Sequence, residues 1–241
     1  MSRKNFGAKP VMYPQPVLII ATYDENGVPN AMNAAWGITT DYKEITISLG
    51  EHKTTDNLAV RKAFTVSMAT EDQVIPCDYV GIESGRKEPD KFYKAGFHAT
   101  KSEFVDAPLI DELPMALECR VKSFNDGILV GEIVNVSADE SVLTDGKVDP
   151  KKLKPITFDP INNTYIGLGD VVGQAFKDGN KIEFIVNRNA DKQMIKTVFE
   201  ERFEVKVEKV WTKIQKDGKH AIIKLADGYS AEDVGMRVGV F

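Results

Sequence analysis

Histidine and cysteine are scarce in this 241-residue chain, at three and two copies, and that scarcity narrows its chemistry. His52, His98 and His220 are far apart and sit in three unlike contexts, so the sequence offers no Ser/His/Asp arrangement. Cys77 and Cys119 form neither a C-x-x-C nor a metal spacing, and they read as half-buried small hydrophobes. No paired-carboxylate signature stands out. No apolar run is long enough to span a bilayer; the longest near the N-terminus, Val17-Leu-Ile-Ile-Ala21, is of strand length. The opening MSRKNFGAKP is basic but has no apolar core and no small-residue cleavage site. No signal peptide is therefore expected, and the cytoplasm is the expected compartment. Gly167-Leu-Gly-Asp-Val-Val-Gly173 imitates a dinucleotide fingerprint, but its spacing is one residue too long and no βαβ unit follows.

What is present is an ordinary globular composition, 42% hydrophobic and 28% charged, with an uneven charge distribution. Up to Gly179 there are 19 basic and 26 acidic residues, a net of -7; from Asn180 on there are 12 and 10, a net of +2. The first part reads as strands broken by tight turns. Residues 16–23 form a strand, Glu25-Asn-Gly27 reverses the chain, and 30–39 return as a second strand. Residues 44–49 alternate polar and apolar as a third strand. Helical stretches are expected at 55–63, 71–80 and 89–95, and a strand at 64–68. A long hairpin runs through 115–124 and 128–137 across Asn125-Asp-Gly127. A Lys/Pro-rich loop covers 146–160, and a further strand starts near Thr164. Many strands with few, short helices predict a mainly β fold, a closed or nearly closed barrel.

The texture changes after Gly179, and the chain is divided there into domains 1–179 and 180–241. The tail reads as a small α+β unit, β-α-β-β-α. Its strands are expected at 181–187, 205–214 and 221–225. A helix at 190–203 places Met194, Ile195, Val198 and Phe199 on one face. Ser230 caps a last helix that has Glu232 and Asp233 in its first turn.

Two polar clusters suggest a ligand. In Ser48-Leu-Gly-Glu-His-Lys-Thr-Thr55 a strand turns into a helix. The unpaired N–H groups and positive dipole end of a helix N-terminus suit phosphate. Lys53 adds a charge there, and His52, Thr54 and Thr55 add donors. The same residues also make an ordinary helix cap with a solvated lysine. The second cluster is Asn30, Asn33, Trp36, Gly37 and Thr39, polar or small residues on what should be a core strand. Either they alternate outward to solvent or they line a ligand, with Gly37 allowing close backbone approach. A glycine-bearing loop, Gly81-Ile-Glu-Ser-Gly-Arg86, leads into a short helix carrying Lys91 and Phe92.

Five blocks in order carry a family resemblance: GAKPVMYPQPVLIIATYDENGVPNAMNAAWG, AFTVSMATEDQ, CDYVGIESGRKEPDKF, FVDAPLIDELPMALEC and TFDPINNTYIGLGDVVGQAF. Over about residues 5–179 the chain resembles the flavin reductase-like family that includes flavoredoxin. The resemblance implies an FMN-binding split β-barrel, a homodimer with flavin at the interface, and electron transfer through FMN, often from NADH or NADPH. It implies phosphate held at His52, Lys53, Thr54 and Thr55, after the strand end Ser48, Leu49 and Gly50. It also implies that the segment Asn30–Trp36, which includes Asn33, lies along the flavin, with Ser84 and Gly85 near the ring; Gly37 and Thr39 remain candidates from the polar cluster. Two positions depart from the pattern: Gly50 stands where an arginine is common, leaving Lys53 as a point charge, and Asn33 stands in place of a threonine.

The tail, residues 180–241, resembles the archaeal tunnel-exit protein of the large ribosomal subunit, without that family's first segment and helix. Its hairpin is moderately basic, through Lys213, Lys216, Lys219 and His220, and a net of +2 is little for displacing counterions from RNA. The expected function is an FMN-dependent oxidoreductase that passes electrons from NAD(P)H or another reduced carrier to free flavin or a redox protein. The alternatives are an FMN-binding protein without turnover and an rRNA-associated protein acting through the tail. Neither a metal nor a membrane is expected.

Overall fold

The structure, a computed structural model, describes residues 2–173 and 179–237. The Gln174-Ala-Phe176 end of the last family block and residues 238–241 of the tail lie outside the described residues. The chain divides into two compact units, Met1–Asp170 and Val171–Phe241, a break somewhat earlier than the change in composition after Gly179.

The first unit is built on one antiparallel sheet of seven strands. Their spatial order is Pro29–Ala34, Leu18–Tyr23, Ala63–Met68, Met115–Asn125, Ile128–Ala138, Glu44–Ser48 and Gly37–Asp41. The two edge strands are consecutive in the chain and are joined only by Ala35 and Trp36. In a flat sheet those edges would lie about 29 Å apart, six spacings of about 4.8 Å. Two connecting residues reach only about 10 Å. The sheet therefore has to curl until its edges meet. They do not hydrogen-bond to each other as a ladder, which leaves a split barrel. The single strand expected at 30–39 is thus two strands at opposite ends of the sheet.

Burial on both faces explains the uninterrupted run Val17–Ala21. Leu18 and Ile20 point into the barrel with Ile45, Ile47, Phe64, Val66, Leu117 and Leu129. Val17, Ile19 and Ala21 point outward and are covered by Cys77 and Val80 of the Val74–Ile82 helix and by Phe92 and Phe97. Cys77 and Cys119 are fully buried, not half-buried, and burial pushes both thiols up to about 12. Among the described residues no helix is long and apolar enough to cross a membrane.

The turns follow their residues. Asp126 (φ 50°) and Gly127 (φ 77°) make the tight reversal between the two longest strands. At the first turn Asp24 organises the loop as well, its carboxylate accepting from the Asn26 and Val28 N–H groups at 2.9 Å. The expected 146–160 loop holds more structure than anticipated. It contains the strand Lys147–Val148, a turn of helix at Pro150–Leu153 capped by Asp149, and the strand Ile156–Asp159. The short ladder of Ala99–Lys101 with Pro108–Ile110 was not anticipated either.

In the second unit the strands run in the order Lys181–Val186, Gly218–Leu225, Val207–Gln215. One face is covered by the helix Lys192–Phe203, whose N-cap Asp191 accepts from Met194 N–H at 2.8 Å. The helix Ala231–Arg237 follows, with Ser230 Oγ accepting from Asp233 N–H at 3.3 Å. Ile195 and Phe199 enter the core as expected, but Met194 and Val198 stay exposed. They line an apolar groove of about 450 Å³ with Phe184, Phe199 and Phe203.

Gly131 shows how tightly the barrel is filled: a Cβ there would overlap the ring of Phe64, which is fully buried. Gly131→Ala should cost about 1–3 kcal/mol in urea unfolding, as overpacking does. Phe64→Leu in the same chain should recover part of it. Full stability in the single variant would show that the ring has room to move.

Candidate functional site

The strand Glu44–Ser48 ends where Ser48 N–H donates to the Trp36 carbonyl at 2.8 Å. Leu49 is buried, its N–H on the Gly127 carbonyl at 2.7 Å. Gly50 is exposed, and its missing Cβ would face the His52 ring at 3.5 Å. His52 is extended and serves as N-cap of the Lys53–Arg61 helix. Thr55 Oγ1 accepts from the His52 N–H (2.9 Å) and donates to the His52 carbonyl (2.8 Å). That hydroxyl is therefore spent on the cap and is not the free donor the sequence suggested. The first-turn N–H groups of Lys53 and Thr54 have no intrahelical partner.

Thr54 is 1% exposed, and its Oγ1 accepts from Asn30 Nδ2 at 2.8 Å. Its hydroxyl hydrogen has no acceptor among the described residues. Asn30 Oδ1 lies 2.5 Å from where a Cβ of Gly85 would stand, and Lys53 Cβ lies 3.3 Å from that point. The Ser84-Gly85 loop can lie against the helix start only because residue 85 is glycine. Ser84 is exposed, and its carbonyl accepts from the Lys87 and Glu88 N–H groups at 2.9 and 2.8 Å.

Two cations border this place, each held by a carboxylate. Lys53 Nζ is 3.4 Å from Glu25. Arg86 forks Asp56 of the helix's first turn, Nε to Oδ2 at 3.1 Å and Nη2 to Oδ1 at 3.0 Å. Both pairs are solvated enough that opening them costs little, about 0–1 kcal/mol for such surface pairs. Arg86 was not among the expected binding residues. It lay inside the glycine-bearing loop already singled out, but its pairing with Asp56 is long-range and no local spacing shows it.

The other expected residues do not converge here. Asn30 and Asn33 lie three apart on one strand, so period-two alternation puts them on opposite faces. Asn33 instead donates to the Cys77 carbonyl at 3.2 Å and packs against Gly81. Nearby, the Tyr165 hydroxyl donates to Asp78 at 2.6 Å. Gly37 is small for a packing reason: a Cβ there would lie 2.8 Å from Leu18 and 2.9 Å from Ile47, so its bareness admits core side chains and not a ligand. Trp36 is 62% exposed, and Thr39 and Ser48 are also exposed. Trp36, Ile38 and Tyr42 form an exposed apolar stretch along one barrel edge. The Gly167–Gly173 run begins at the end of the strand Thr164–Gly167 and is itself not helical.

The donor set at the start of the Lys53–Arg61 helix fits a phosphate monoester: backbone N–H groups, one buried hydroxyl, two cations and a side-chain-free approach at Gly85. No cluster of metal-ligating side chains occurs among the described residues. The two thiols are buried and protonated and offer no nucleophile.

Residues 11–154 match the family model described as flavin reductase like domain, and the chain belongs to that family. Two solved structures are similar to about three quarters of the chain. Flavoredoxin of Desulfovibrio vulgaris (Miyazaki F) is 36% identical with a TM-score of 0.71, covering 74% of this chain and all of that one. Flavoredoxin from Methanosarcina acetivorans is 28% identical with a TM-score of 0.67, covering 74% of this chain and 98% of that one. The C-terminal quarter matches a different family. It is 56% identical over 62 residues to the large ribosomal subunit protein uL23 of Picrophilus torridus, covering 26% of this chain and 76% of that protein.

Proposed function

We propose that this protein binds FMN and moves electrons through it, from NADH, NADPH or another reduced carrier to free flavin or a redox protein. The observation that carries the reading is the convergence of Thr54, Lys53, Arg86 and Gly85 on one helix N-terminus in a chain of the flavin reductase-like family. The similarity to two flavoredoxins supports it. When bound, FMN supplies the redox chemistry itself, accepting and releasing electrons at its ring. The chain's residues hold and orient it. The helix start and the Thr54 hydroxyl donate to the phosphate, and Lys53 and Arg86 turn from Glu25 and Asp56 to balance its charge. Arg86 supplies the forked cation that Gly50 lacks.

A test separates the phosphate from the rest of the ligand. Lys53→Ala with Thr54→Ala should weaken FMN by about 2–4 kcal/mol, the size of lost charge-assisted hydrogen bonds. Riboflavin, which has no phosphate, should bind almost unchanged in the same fluorescence titration. Equal losses for the two ligands would place the phosphate elsewhere.

Turnover is the second question, because a flavin carrier and a reductase need the same seat. Steady-state oxidation of NADH and NADPH with added FMN is expected to proceed well above the protein-free rate. If neither nucleotide nor any low-potential donor reduces the bound flavin, the protein is an FMN-binding module without this activity.

A second copy of the chain is the proposed cover for Trp36, Ile38 and Tyr42, an apolar stretch exposed on a barrel edge. Sedimentation should give a dimer at micromolar concentration, and Trp36→Glu with Ile38→Glu should give a monomer. A monomeric parent protein would remove this part of the reading.

The alternative through rRNA is disfavoured by the tail's small net charge of +2, which displaces few counterions from a phosphate backbone. Its hairpin cations also have local partners: Lys213 pairs with Glu183 at 2.9 Å, His220 lies between Glu183 (2.7 Å) and Asp217 (2.9 Å), and Lys219 Nζ donates to the Ala190 carbonyl at 2.8 Å. Binding of rRNA fragments that weakens steeply with salt would reverse this judgement.

A further inference from the structure

Lys91 is the least expected side chain near the candidate site. It is only 3% exposed, and among the described residues it forms no ion pair with a carboxylate. Its Nζ donates instead to two backbone carbonyls, Val80 at 2.8 Å and Glu83 at 2.9 Å. Val80 belongs to the last turns of the Val74–Ile82 helix, where carbonyls lack intrahelical partners, and Glu83 is the residue that follows. Directly after Glu83 come Ser84, Gly85 and Arg86, which meet Asn30, Lys53 and Asp56.

We propose that Lys91 is a positioning residue for the flavin site: its buried amino group, which needs only the two N–H donors that the neutral amine keeps, ties the helix end to the Glu83 carbonyl and so fixes the Ser84-Gly85-Arg86 loop against the Lys53–Arg61 helix. The importance for flavin rests on the function proposed above; the anchoring of the loop does not. With the loop fixed, Gly85 keeps its close approach to Asn30, and Arg86 starts within reach of both Asp56 and an incoming phosphate. With the loop free, that order has to be regained whenever a ligand binds.

The anchor is linked to a proton. Burial lowers Lys91 from the ordinary 10.5 to about 8, and the Glu83 carboxylate, the charged group acting on it, opposes that shift. An opened loop would return the amine to water and to its ordinary value. The closed loop therefore binds the proton less tightly than the open one, and closure strengthens as pH rises from about 8 toward 10.5.

The test uses the full chain with Lys91→Met and reads two quantities. Amide exchange of Lys87 and Glu88, whose N–H groups depend on the Ser84 carbonyl, reports loop opening once corrected for intrinsic rates. FMN titration reports the site. The expected result for Lys91→Met is at least about fivefold faster opening and a comparable loss of FMN affinity, with exchange in the barrel strands unchanged. In the parent protein, opening should decline as pH rises through about 8, and Lys91→Met should abolish that trend. Glu83→Gln should move the trend to lower pH, which keeps the proposal testable if Lys91→Met does not fold. Unchanged loop exchange in Lys91→Met, or parent opening with no trend near pH 8, would overturn the proposal. If the parent binds no FMN, the flavin reading fails, while the exchange data still decide whether Lys91 holds the loop.

Discussion

The rest of the first unit depends on one short connection. Ala35 and Trp36 join strands that stand at opposite edges of a seven-stranded sheet, and no extended pair of residues could do so across a flat one. Curling follows, and with it an interior that both faces of the Leu18–Tyr23 strand help to define. Leu18 and Ile20 fill the barrel while Val17, Ile19 and Ala21 hold the helical layer outside. Gly37, the first residue after the crossing, lies so close to Leu18 and Ile47 that a Cβ there would overlap both side chains and force them to move.

The same closure builds the candidate site. The Pro29–Ala34 edge strand carries Asn30 to the start of the Lys53–Arg61 helix, where its amide donates to Thr54. Its alternation sends Asn33 the other way, toward the Val74–Ile82 helix and Tyr165. Two asparagines that look equivalent in sequence thus serve different ends. Asn30 holds Thr54 at the proposed ligand seat, and Asn33 ties down the helix that leads into the glycine-bearing loop.

Local chemistry was legible in the sequence wherever it acts over a few residues. Asn125-Asp-Gly127 announced its reversal, and the strand-to-helix transition at His52-Lys-Thr-Thr55 stood out by its residue types. The five ordered blocks pointed to a flavin reductase-like barrel, which the family match over 11–154 and the two flavoredoxin structures bear out. What stayed hidden depends on tertiary pairing. The break at Ala35 cannot be read from a run of ten strand-compatible residues, because the need for it arises from where the edges end up. Arg86 and Asp56 are thirty residues apart, and their pairing needs both helices in place. The ladders at Ala99–Lys101 and Lys147–Val148 are two or three residues long, too short to show a period. Thr55 was legible both as a donor and as a cap, and its two hydrogen bonds with His52 select the cap.

A net of -7 over the first 179 residues is an unlikely setting for an anion site if charge is read as a sum. Fields at contact distance are decided by the nearest groups, since exposed charges beyond about 10 Å are largely screened at ordinary salt. At the start of the Lys53–Arg61 helix the nearest groups are the helix's own N–H dipoles, a lysine and an arginine, with Glu25 and Asp56 as exchangeable partners. In the second unit the net of +2 is small for a polyanion, and Lys213 and His220 are paired with Glu183 and Asp217 while Lys219 donates to a carbonyl. The Lys213 pair is about as exposed as the pairs beside the Lys53–Arg61 helix, so it too opens at little cost. What sets the proposed seat apart is the helix start itself, where unpaired N–H groups and the buried Thr54 hydroxyl add to the two cations. Net charge alone describes neither place.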